Sequence, residues 1–311
     1  MILLNASGCL DALTAPDCAR SLDAFVTKTV TPEPRAGNPP VRIAETAVGM
    51  LNSIGLQNPG LERFLGTVLP ELGRLGVPIW VSVGGSSAGE YAGLCRRLDE
   101  RDEVAVVELN LSCPNVEGAP EAAAAIVAAC RSATSKPLYA KLSAAVPDIA
   151  ETARAVEDAG ADGLSLVNTV RGLALDSETL RPILDRGAGG LSGPALKPIA
   201  LAAVWSCARV TELPIVGMGG VARGCDALDL LAAGARGVAL GTVLFADPDA
   251  PGRIRGELEG ELTRRGFRSA EEVLRLAHTP RTKPRSEVKS FSQSSCTVGE
   301  KVVVDARAQG V

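Results

Sequence analysis

The chain has 311 residues, 46% apolar and 22% charged, with aromatics at 3% and a formal net charge of −4. That length can bury a full hydrophobic core, while the acidic balance and the scarcity of aromatic rings argue against a nucleic-acid surface. No uncharged apolar run reaches the ~18 residues of a membrane span, and Met1–Asn5 has neither the basic nor the long apolar region of a secretory signal, so a cytoplasmic protein without a membrane partner is expected.

Short apolar runs alternate with longer amphipathic ones. In chain order, strands are predicted at Ile2–Asn5, Ala24–Thr27, Pro78–Val83, Val104–Asn110, Leu138–Leu142, Gly163–Val167, Pro214–Met218 and Gly237–Leu240. Helices are predicted near Leu61–Leu75, Ala88–Glu100, Pro120–Ser132, Pro147–Ala159, Pro194–Ala208 and Arg223–Ala233, with another after Asp249. Several begin with proline, which suits a first turn whose amide would be unpaired. Eight strands interleaved with helices imply parallel pairing and an α/β fold, a TIM (β/α)8 barrel, with an open doubly wound sheet as the structural alternative. The run Ala159-Gly160-Ala161-Asp162-Gly163-Leu164-Ser165-Leu166 recurs as Ala233-Gly234-Ala235-Arg236-Gly237-Val238-Ala239-Leu240, a weak internal repeat that favours closure.

Two regions fall outside that count. Lys28 to about Gly60 is rich in Pro, Gly and Asn yet keeps Ile43, Val48, Met50 and Leu51, so it reads as an ordered insertion over the C-terminal mouth of the barrel. Residues 281–311 read as a C-terminal tail beyond a 1–280 barrel, polar and basic at first and then carrying an isolated Val302-Val303-Val304.

Eight cysteines stand at 9, 18, 95, 113, 130, 207, 225 and 296 with no Cys-x-x-Cys pair. They read as reduced thiols, and their spacing disfavours zinc or an iron–sulfur cluster, so no metal is expected. The lone histidine, His278, follows the last strong strand and leaves a Ser-His-Asp hydrolase without a convincing base.

In such a barrel the chemistry gathers at the carboxyl ends of the strands. That rule selects Ser7-Gly8, Lys28, Ser82, Asn110 with Cys113 and Asn115, Lys141, Asn168-Thr169, Gly219-Gly220 and Gly241-Thr242. Glycines after the seventh and eighth strands are where barrels bind phosphate, because backbone N–H groups approach closely there. Gly189-Gly190-Leu191-Ser192-Gly193 adds a flexible segment. Cys113, just after the fourth strand, is placed to take a proton, and Cys130 and Cys207 read as inert buried thiols. Lys28 and Lys141 suit an anionic ring or carboxylate, and Asn52 with Asn58 offers the donors and acceptors of a pyrimidine edge. Plainer readings (tight turns, a packed thiol, solvated lysines) stay open on the residues alone.

Taken together the motifs are more specific. Thr27-Lys28-Thr29, Pro34-Arg35-x-Gly37-Asn38-Pro39, Asn52-x-Ile54-Gly55-Leu56-x-Asn58, Glu108-Leu109-Asn110-Leu111-Ser112-Cys113-Pro114-Asn115, Asn168-Thr169-Val170-Arg171-Gly172, Gly190-Leu191-Ser192-Gly193-Pro194-Ala195-Leu196-Lys197-Pro198 and Gly217-Met218-Gly219-Gly220 resemble, in order, those of class 1 dihydroorotate dehydrogenases. The resemblance runs from about Asn5 to Asp247. It implies FMN at the barrel mouth and oxidation of (S)-dihydroorotate to orotate in pyrimidine biosynthesis, with Cys113 as general base. It implies substrate contacts from Lys28, Asn52, Ile54, Gly55, Leu56, Asn110, Asn168 and Thr169. FMN contacts would come from Ser7, Lys28, Thr29, Asn110, Lys141, Val167, Gly193, Gly219, Gly220, Gly241 and Thr242.

The loop Val116-Glu117-Gly118-Ala119 is expected to close over substrate. The Asn168 and Gly190 motifs lean towards the NAD-linked subclass, which implies a second subunit carrying FAD and an iron–sulfur cluster, in a homodimer or heterotetramer. Ser82 stands where many NAD-linked relatives have Asn and some fumarate-linked ones have Ser, so the fumarate-linked enzyme is the alternative, followed by a non-redox phosphate-binding lyase or synthase.

Overall fold

The structure, a computed structural model, describes residues 1–111 and 120–280. Its strands are β1 (Ile2–Asn5), β2 (Phe25–Val26), β3 (Ile43–Thr46), β4 (Gly49–Asn52), β5 (Ile79–Val83), β6 (Val104–Asn110), β7 (Leu138–Leu142), β8 (Gly163–Leu166), β9 (Val170–Gly172), β10 (Gly189–Ser192), β11 (Ile215–Met218) and β12 (Gly237–Leu240). Eight of them pair in parallel in the order β1-β12-β11-β8-β7-β6-β5-β2. The seam between β1 and β2 is thin, because β2 has only two residues and the two strands meet in a single Leu4–Ala24 bridge. Asn5 reinforces it. Its Nδ2 donates to Val26 O at 2.7 Å and its Oδ1 accepts from Val26 N–H at 2.8 Å, so one side chain supplies the two bonds that a longer ladder would have made. The ring is an α/β barrel of the TIM type.

Alternation sorts each strand. On β7, Leu138, Ala140 and Leu142 join the core beneath the helices, while Tyr139 turns inward. Trp80, Val106, Val216, Met218 and Ala239 fill the interior with it, and the Trp80 and Tyr139 rings lie 4.5 Å apart. Gly163 on β8 faces the Tyr139 ring so closely that a Cβ there would collide with it, and the bulk of the tyrosine therefore requires the glycine. Around the ring, helices 88–99, 120–131, 149–158, 197–208, 224–233 and 250–264 cover the outer face. Ser87 and Asp148 cap two of them, Ser87 Oγ accepting from Glu90 N–H and Asp148 Oδ1 from Ala150 N–H.

A second sheet, antiparallel in the order β3-β4-β10-β9, comes from the insertion and from the segment after β8. Two expectations change here. Gly189–Ser192, expected as a flexible segment, is β10, whose backbone is committed on both edges, to β4 and to β9. Asn58, expected at the ligand, is a buried strut. It accepts from Thr31 N–H and Gly60 N–H and donates to Thr31 Oγ1 and Leu56 O. The helix expected over Leu61–Leu75 ends at Gly73 and widens to a π turn over Phe64–Val68. Among the described residues no helix is long and apolar enough to cross a membrane, and no group of His, Cys, Asp or Glu is arranged to hold a metal ion.

Candidate active site

The strand ends and the second sheet enclose a cavity of about 580 Å³, within the usual range of small-molecule sites. Apart from Ser82 and Asn58, the candidates inside the described residues line it. Ser7 arrives after β1, Lys28 and Thr29 after β2, Asn110 ends β6 and Lys141 lies on β7. Val167, Asn168 and Thr169 follow β8, Gly219 and Gly220 follow β11, and Gly241 and Thr242 follow β12. Asn52, Ile54, Gly55 and Leu56 line it from the insertion and Gly193 from the end of β10. Cys113, Asn115 and the 116–119 loop lie outside the described residues, as does the 281–311 tail. A second depression of about 520 Å³, between Thr14–Ser21 and Pro248–Arg253, gathers none of the candidates.

The polar side chains are pre-set by one another. Asn168 Nδ2 donates to Asn110 Oδ1 at 2.9 Å, and Asn110 Nδ2 donates to Thr29 Oγ1 at 3.2 Å. Thr29 Oγ1 in turn meets Ser82 Oγ at 3.1 Å and Ser7 Oγ at 3.3 Å, and Ser7 Oγ donates to Thr27 O at 2.8 Å. Ser82, drawn from a strand end by sequence, therefore does not line the cavity and instead anchors a residue that does. Outside the chain of bonds, Tyr91 Oη donates to Asn110 O at 2.6 Å. Such a network fixes amide orientation before any ligand binds.

Lys28, Lys141 and Arg42 are the charged residues on the cavity wall, and no carboxylate among the described residues joins them there. Burial pushes the Lys28 ammonium below the ordinary lysine range; the Cys9 thiol opposes that shift and the Lys141 ammonium adds to it. The Cys9 thiol is pushed up by burial against the pull of Lys141 and Lys28. Lys141 is buried, with Nζ 3.5 Å from Glu108 Oε1. The cavity therefore favours an anion.

The glycine wall differs in kind. Gly220 has φ +71°, and a Cβ there would sit 2.8 Å from Lys197 Cβ and 2.9 Å from Lys197 N, so neither the backbone conformation nor the space admits a side chain. Lys197 Nζ is already paired with Asp226 at 2.6 Å and Asp229 at 2.8 Å. A phosphate on this wall would therefore rest on backbone N–H groups.

Sequence reasoning missed Arg42 and Gln57 on the rim, where Arg42 Nη2 donates to Gln57 Oε1 at 2.7 Å, and it missed Cys9, Met50 and Phe245. Arg42, Met50 and Gln57 sit on the insertion, Cys9 in the turn after β1 and Phe245 in the short helix Val243–Ala246, segments too short or irregular to show a period, so only their neighbourhood in space marks them.

Comparison with known proteins agrees with this geometry. The family model described as dihydroorotate dehydrogenase matches residues 2–262. The chain is 46% identical over 264 residues to the dihydroorotate dehydrogenase B (NAD(+)), catalytic subunit, of Desulforudis audaxviator (strain MP104C), covering 83% of this chain and 86% of that one. It is 47% identical over 261 residues to the protein of the same name from Geobacter sulfurreducens, covering 82% and 86%. Among solved structures, a DHODH from Eimeria tenella in complex with ferulenol aligns with a TM-score of 0.75 at 22% identity, over 90% of this chain and 86% of that one, a likeness of fold.

Proposed function

The chain belongs to the dihydroorotate dehydrogenase family, and on that premise we infer that it oxidises dihydroorotate to orotate in pyrimidine biosynthesis, with FMN in the barrel mouth. The observation that carries the reading is the meeting of two unlike walls in one cavity. One wall is cationic and amide-lined, and the other is lined by glycines, with no room for a side chain at Gly219 or Gly220. The family is flavin-dependent, and the residues present fit FMN in particular. Gly193, Gly219, Gly220, Gly241 and Thr242 would hold its phosphate, while Ser7, Lys28, Thr29, Asn110, Lys141 and Val167 would hold the remainder.

When bound, the flavin supplies the acceptor for the hydride that leaves C6 of the substrate. The chain's own residues do the rest. Cys113 accepts the proton from C5 as its thiolate, becoming the thiol; free cysteine, with a reference pKa of ~8.5, ionises in part at mildly alkaline pH without a histidine. Lys28 sets a positive charge against the substrate anion. Asn52, Asn110, Asn168 and Thr169 orient the ring through amide and hydroxyl groups, and Ile54, Gly55 and Leu56 close the side nearest the insertion.

We propose NAD as the final acceptor, as in the names of the relatives, reached through a second subunit carrying FAD and an iron–sulfur cluster, because the scattered cysteines of this chain form no cluster motif. Turnover with fumarate alone, at the rate of the assembled enzyme, would contradict that acceptor. The base assignment is tested by Cys113→Ala. The variant should keep its flavin and slow flavin reduction by ~10²-fold or more, and near-normal reduction would remove Cys113 from the mechanism.

A further inference from the structure

Beneath the cavity lies one carboxylate that the mechanism has not used. Glu108 sits on the inner face of β6, two residues before Asn110, and is 1% exposed. Its Oε1 has no hydrogen-bond partner, and the ammonium of Lys141 on the neighbouring strand β7 stands 3.5 Å away. Around Lys141 the other inward groups are neutral apart from Lys28: the Cys9 thiol, whose ionisation burial opposes, Ser82 on β5, Ser165 on β8 and Met218 on β11 carry no charge. A carboxylate taken out of water is costly unless a cation answers it. Here the answering cation is a residue that lines the cavity.

We propose that Glu108 is a positioning residue: it aims the Lys141 ammonium into the cavity and reduces the charge of the Lys28–Lys141 floor from two to one. The inference rests on the reading that a flavin occupies the cavity. A floor with a single net positive charge matches a ligand that gains one negative charge on reduction. Two uncompensated ammonium groups would over-stabilise the reduced form and slow the onward passage of electrons, and none would under-stabilise it.

The test is the equilibrium of the bound flavin against a reference dye at fixed pH, in the holoprotein and three variants. Glu108→Gln keeps the shape and leaves two positive charges. It should shift the equilibrium towards reduced flavin by roughly tenfold, the order of one charge acting across a partly screened interior. Lys141→Met should shift it the other way by a similar factor. The double variant Lys141→Met/Glu108→Gln restores a single positive charge and should return close to the wild type, which a merely structural role for Glu108 would not produce. Should Glu108→Gln fail to fold, Lys141→Met against the double variant gives the same reading, since the double variant leaves no unpaired buried carboxylate. An unshifted Glu108→Gln, or a double variant identical to Lys141→Met, would overturn the proposal. A wild-type protein that takes up no flavin would overturn the functional reading first, and this inference with it.

Discussion

Under the cavity, Leu109, Leu164 and Leu166 are wholly buried between parallel strands and helices, and the polar groups above them are tied into the Ser82–Thr29–Asn110–Asn168 chain. Over the cavity, the sheet of β3, β4, β10 and β9 rests on three buried residues, Ala44, Leu51 and Leu184, while Val41, Ile43 and Val48 are more than half or about half exposed. A buried leucine contributes about 1.5–3 kcal/mol by area alone, so the floor is held by many such terms and the cover by few. Local opening follows the density of buried contacts. Packing therefore sets a higher cost on opening the floor than on opening the cover, the division that would admit a substrate to a fixed array of groups.

That contrast can be broken in order of expected effect. Leu109→Ala in the floor should cost about 3–4 kcal/mol in global unfolding, the range for a leucine removed from a packed core. Denaturant titration reads it, and a cost below about 1 kcal/mol would mean that the floor is not the rigid part. Lys28→Met should raise KM for dihydroorotate by ~10²-fold, the scale of a lost charge-assisted contact, read in steady-state kinetics on the flavin-loaded protein.

The pH dependence of the same residue sharpens the point. Its folded pKa is lowered, chiefly by burial, so the unfolded chain binds the proton more readily. Stability from this group thus rises as pH climbs through the folded pKa towards the unfolded value. Over the same window the charge is lost and KM should rise, at a lower pH than an ordinary lysine would show. A KM flat across that window would remove Lys28 from substrate binding. The smallest effect belongs to the cover. Leu51→Ala should cost no more than about 2 kcal/mol globally, because loss is capped once the cover opens by itself. It should accelerate amide exchange in β3, β4, β9 and β10 and raise KM about tenfold. Unchanged exchange would show the cover to be as firm as the barrel.

The floor was also the more legible region. The bounds of β1, β6, β7 and β12 coincide with the sequence-based expectation, because runs such as Val104-Ala105-Val106-Val107 and the turns around them specify strands locally. The cover was not legible as a sheet. Asn52 and Gly190 pair across 138 residues of sequence, and Gly189-Gly190 has little strand propensity of its own, so tertiary pairing decides it. Strand-end position located the barrel's own candidates, and the family resemblance added Asn52, Ile54, Gly55 and Leu56, yet neither marked Arg42 or Gln57, which reach the cavity by way of an irregular insertion. Glu108 was within reach: the inward alternation Val106, Glu108, Asn110 is visible in the sequence, and a carboxylate on the inner face of a barrel strand already asks for a cation.

The central claim, that this cavity brings a flavin and dihydroorotate together, is met most directly by adding dihydroorotate to the purified protein without oxygen and following visible absorbance. The account predicts a yellow protein that bleaches on mixing, with one orotate formed for each flavin reduced. A colourless preparation that stays so after incubation with FMN, or a yellow one whose spectrum dihydroorotate leaves unchanged, would contradict it.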